Sequence, residues 1–64
     1  MRLTVFWGRM ADRFGPAYAE SVARDITIGQ LGGRTASEAL AAGVPAKEVW
    51  LAVCEVFEIP AKDR

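Results

Sequence analysis

The chain has no histidine and a single cysteine, Cys54. Without histidine, the usual general base and the commonest metal ligand are both missing. One thiol excludes an intrachain disulfide, and nothing asks for an oxidising compartment. A net charge of either sign is lacking too. Eight basic and eight acidic residues cancel, so no overall field draws the chain to nucleic acid or to an anionic membrane. Long apolar runs are absent. The longest, Val49 to Cys54, is six residues, against about 18 for a membrane span. The opening stretch is broken by Thr4, Arg9 and Asp12, unlike a signal peptide. These absences point to a soluble cytoplasmic protein, not an enzyme, with no cofactor and no metal.

What is present suffices for one small fold. At 64 residues and 52% hydrophobic, the chain sits near the lower limit for a self-supporting core. Five Arg and three acids fall in residues 1–34, and three bases and five acids in 35–64.

Hydropathy spacing predicts an all-α domain, a compact bundle of three to four short helices. Leu3, Phe6, Trp7, Met10 and Phe14 form one apolar stripe at helical spacing, with Thr4 as the expected N-cap. Gly15 stops this helix and Pro16 starts the next. The second helix should bury Tyr18, Ala19, Val22 and Ile26 and pair Glu20 with Arg24. Ile26 to Ile28 are all β-branched, yet no second run offers itself as a partner strand. A bend near Asp25 and a helical turn to Leu31 are therefore expected, closed by Gly32-Gly33.

The C-terminal half carries the clearest signals. Thr35 and Glu38 have capping-box spacing, Gly43 supplies a left-handed stop, and Pro45 opens the last helix. Val49, Trp50, Val53, Val56 and Phe57 line its expected buried face. Pro60 ends it, so residues 1–60 read as one helical domain and 61–64 as a frayed tail.

Residues 35–54 resemble the helix-turn-helix of DNA-binding repressors, with Ala39, Gly43, Val44, Val49 and Ala52 at its small, turn and apolar sites. A recognition helix must also offer donors to phosphates and base edges. Here the outward residues are Lys47, Glu48, Leu51 and Glu55, a net negative surface, so a helix pair that simply packs is preferred. Gly29-x-x-Gly32-Gly33-Arg34 lacks the strand before and the Lys-Ser/Thr after that a phosphate loop requires. Cys54, beside an aromatic face, reads as a small buried hydrophobe.

The opening Met-Arg-Leu-Thr-x-Phe-Trp, Phe14-Gly-x-x-Tyr18, Leu31-Gly-Gly-Arg-Thr35, Glu38-Ala-Leu-x-x-Gly-Val44 and Glu48-Val-Trp-x-Ala-x-Cys54 together resemble the actinobacterial domain-of-unknown-function family 3046. The resemblance covers essentially all of residues 1–60 and implies no known activity. Genes of the family often lie beside those for the recombinase RecA and its regulator RecX, which implies a link to DNA repair. The family usually has Glu at position 5 and Arg at position 51, where this chain has Val5 and Leu51.

The reading that results is a small non-catalytic interaction or regulatory module with an unidentified protein partner. The alternative is a helix-turn-helix nucleic-acid binder. No catalytic, cofactor or metal residue is nominated. Val5 and Leu51 are candidates for partner contact because each is apolar within a polar stripe, bordering one patch if the first and last helices pack side by side. Such a patch suits a homodimer. Arg34 is the third candidate, with an ion pair to Asp25 or Glu38 as its plainer role.

Overall fold

The computed structural model describes every residue, Met1–Arg64. Two helices, α1 (Leu3–Phe14) and α2 (Pro16–Asp25), lead into a ribbon of β1 (Thr27–Ile28) and β2 (Arg34–Thr35). Helices α3 (Ala36–Ala41) and α4 (Ala46–Val56) follow. One 3-10 turn, Gly29–Leu31, fills the ribbon's loop, and another, Ala61–Asp63, follows α4. The expected mostly helical fold is therefore what forms.

Helix α1 begins one residue before the expected cap. Arg2 is its N-cap and makes no side-chain cap bond, so Thr4 lies inside the helix and caps nothing. Phe6 and Met10 are fully buried, and Trp7 and Phe14 pack against the core's edge. Leu3, the helix's first residue, lies beyond the reach of that packing and is exposed. Gly15, at φ 91°, turns the chain directly into Pro16, the first residue of α2. The buried stripe of α2 is Ala19, Val22 and Ala23. Tyr18 precedes that i, i+3, i+4 set by one position and points away, 64% exposed, against expectation. Arg24 pairs with Asp25 at 3.4 Å rather than with Glu20.

The strand set aside for want of a partner does form. Thr27 stands opposite Thr35 and Ile28 opposite Arg34, antiparallel. Gly32 and Gly33, at φ 73° and 79°, reverse the chain, and the Gly33 amide donates to the Ile28 carbonyl at 3.1 Å. Left-handed geometry at two successive residues is cheap only for glycine. Burial of Ile28 against the helices secures the ribbon, and the expected helical turn survives within its loop.

The capping box is present as expected. The Thr35 amide donates to Glu38 Oε1 at 2.9 Å, and the Glu38 amide to Thr35 Oγ1 at 3.1 Å. At the other end of α3, Gly43 is left-handed, its amide donates to Leu40, and the Val44 amide to Ala39. That is a complete Schellman stop. Pro45 is the N-cap of α4 rather than its first residue.

Helix α4 is the centre of the core. Val49, Trp50, Ala52, Val53 and Cys54 are buried against Phe6, Met10, Ala23, Ile28 and Ala39. Val56, expected inside, is exposed, because the chain leaves the helix just after it. The stop repeats the Schellman pattern: Glu58 donates to Glu55, and Ile59 to Cys54 at 2.9 Å. Here the left-handed residue is Glu58, φ 53°, a conformation that costs an L-residue roughly 1–2 kcal/mol. Glu58→Gly should therefore raise stability by up to about 1 kcal/mol once glycine's greater unfolded freedom is subtracted. Urea unfolding of the two proteins would measure it, and a destabilised variant would mean the Glu58 side chain itself holds the turn.

Candidate functional site

The reversal at Glu58 sends Ile59 back into the core, 1% exposed. The residues after it are then laid across α1 and α4. The expectation of a frayed tail at 61–64 is overturned by four hydrogen bonds that converge on Arg64. Its main-chain oxygen accepts from Arg9 Nη1 of α1 at 2.5 Å and from Trp50 Nε1 of α4 at 3.0 Å. Its guanidinium donates through Nε to the Ile59 carbonyl at 2.8 Å and through Nη1 to Glu55 Oε1 at 2.8 Å. A buried indole N–H needs an acceptor, and the tail provides it. One residue thereby joins a cation of α1, the central Trp of α4 and an anion of α4.

A hollow of about 490 Å³ opens beside this clasp, lined by Arg9, Asp12, Arg13, Trp50, Ile59 and Asp63. Its two cations are matched by two carboxylates. No buried side-chain polar atom is left without a partner. Cys54 is fully buried. Burial pushes its thiol above the ordinary range, and the Arg64 and Arg9 charges pull the other way without overcoming it. A protonated, enclosed thiol is a poor nucleophile. No three Cys, Asp or Glu side chains gather as a metal site would need.

The three residues nominated from sequence, Val5, Leu51 and Arg34, are all exposed. Leu51 lines a shallow hollow with Gln30, Leu31, Glu48, Ala52 and Glu55, none of them from α1. Val5 does not line that hollow, although α1 and α4 do pack together through Phe6 and Trp50. Arg34 enters neither of the two ion pairs in the molecule. Asp25 is taken by Arg24, and the Glu38 carboxylate by the Thr35 amide. Arg34→Ala should accordingly change stability by no more than about 0.5 kcal/mol. A loss above 1 kcal/mol in thermal unfolding would require a contact this geometry lacks.

The residues that sequence reasoning missed are Arg9, Ile59 and Arg64. A signal was there: an apolar Ile59 beyond the helix stop, and a core Trp whose N–H had no acceptor in its own helix.

No helix is long and apolar enough to cross a membrane. Among known proteins, neither a curated protein nor a solved structure matches the chain. One family model does, over residues 1–62, nearly the whole length and including the clasped segment as far as Lys62. The chain belongs to that family, described as protein of unknown function (DUF3046).

Proposed function

We propose that this domain is a small non-catalytic module that acts in the cytoplasm by contacting another protein, in an interaction or regulatory role. The observation that carries this reading is the outward face of α4, where Glu48, Leu51 and Glu55 are all exposed. The carboxylates on this face disfavour a phosphate backbone, and the apolar Leu51 between them suits a protein surface. The absence of histidine and the buried Cys54 thiol support the non-catalytic part. The family resemblance supports a connection to DNA repair through protein contact.

The alternative, nucleic-acid binding through α3 and α4, draws on the glycine turn at Gly43 and on the five Arg of residues 1–34. A fluorescence titration with duplex and single-stranded DNA at two salt concentrations separates the two. The module reading expects no saturable binding at either salt. Affinity that falls steeply as salt rises is the signature of phosphate contacts, and would replace this reading with the alternative.

A further inference from the structure

Two exposed stripes on the surface share one spacing with opposite charge. On α4, Leu51 stands three residues after Glu48 and four before Glu55; on α1, Val5 stands three after Arg2 and four before Arg9. Both apolar residues are exposed, Val5 at 42% and Leu51 at 39%. The stripes border the same face of the molecule, because Arg64 holds Arg9 at one end and Glu55 at the other. Arg2 and Glu48 have no ion-pair partner within the chain. Arg2 is also the N-cap of α1, where the helix's own partial positive charge makes a cation unfavourable and an anion welcome.

We propose that these stripes pair between two copies of the chain, giving a two-fold dimer in which α1 of each copy lies on α4 of the other. The inference rests on reading the domain as a protein-contact module and names its partner. The internal packing fixes how the copies meet. Phe6 rests on Trp50 and Phe14 on Phe57, so α1 and α4 run in the same direction. Only a two-fold axis along the helices then places α1 over α4 of the second copy, and such an axis adds no shift along them. Arg2 meets Glu48 of the second copy, Val5 meets Leu51, and Arg9 meets Glu55. By the Phe6–Trp50 register, each α1 residue stands two residues short of its counterpart, about 3 Å of helix rise. An Arg or Glu side chain spans that easily. An ordinary interface takes about 800 Å² per partner, a fifth of the 4050 Å² this domain exposes, so both helix faces and the tail between them would be covered.

Sedimentation equilibrium of the full chain tests the pairing. Wild type is expected to dimerise reversibly with concentration, more weakly at high salt. Arg2→Glu and Glu48→Arg should each weaken the dimer by about tenfold, since symmetry inverts two contacts at once. The two changes combined should restore it. Neither residue has an internal partner, so circular dichroism should show all three variants folded. A wild type that stays monomeric at millimolar concentration overturns the proposal and leaves the module reading to the DNA titration. A dimer indifferent to the single changes, or not restored by the double, also overturns it, by placing the interface elsewhere.

Discussion

Trp50→Ala should lose about 3–5 kcal/mol of stability, close to all that a domain of this size possesses. Trp50 is 2% exposed, meets Phe6 edge-on with ring centroids 6.3 Å apart, and Phe6 in turn meets Trp7 at 5.1 Å. Removing the indole opens a cavity between α1 and α4 and leaves the Arg64 oxygen with one donor fewer. Phe6→Ala should be comparably severe, because Phe6 is fully enclosed and stands between both Trp rings. Urea unfolding followed by circular dichroism is the measurement, and both variants should be largely unfolded without denaturant. Either one keeping most of the wild-type melting temperature would mean that α1 and α4 are not packed through these rings. Trp50→Phe keeps an aromatic ring but removes the N–H donor and part of the indole's buried volume, so it should be milder than Trp50→Ala. It should cost about 1–3 kcal/mol.

Ile59→Ala is the second large effect, expected at about 2–5 kcal/mol. Ile59 lies outside every helix, yet it is among the most deeply buried side chains of the chain. It anchors the segment that brings Arg64 to Arg9, Trp50 and Glu55. A tail that merely frayed would make this substitution nearly silent. The expected loss should also appear in Trp50 fluorescence, because freeing the tail uncovers one edge of the indole.

Where the fold was legible, the signals were local chemistry. Thr35 with Glu38, and Gly43 after Ala41, define the ends of α3 because a cap needs only its own first or last turn. Gly15-Pro16 separates α1 from α2 for the same reason. The errors fall where distant groups decide. Tyr18 and Val56 both lie at helix ends, where a periodic face continues on paper but the neighbouring element has already turned away. The ribbon of Thr27–Ile28 and Arg34–Thr35 is two residues deep, too short for any strand pattern, and exists because Ile28 is drawn into the core. The tail Pro-Ala-Lys-Asp-Arg has no periodicity at all; its place is set by an indole fourteen residues earlier.

The candidate site divides in the same way. That Val5 and Leu51 are exposed was readable from their polar helix neighbours. That the tail links their two helices was not, since it depends on Arg64 reaching both Arg9 and Glu55. Arg34, flagged for its place between glycines and a cap, is exposed and enters no ion pair within the chain. Its would-be partners were satisfied by nearer groups.

The central structural claim is that the C-terminal segment fastens α1 to α4 through the Trp50 N–H. Hydrogen exchange of the two indole protons, followed by NMR, tests it most directly. Trp50 Nε1–H, bonded to the Arg64 oxygen and buried, should exchange only when the domain opens. Trp7 Nε1–H, half-buried and without an acceptor in the protein, should exchange orders of magnitude faster. Equal, rapid exchange of both protons would mean that the tail is not seated on Trp50, and would contradict the account.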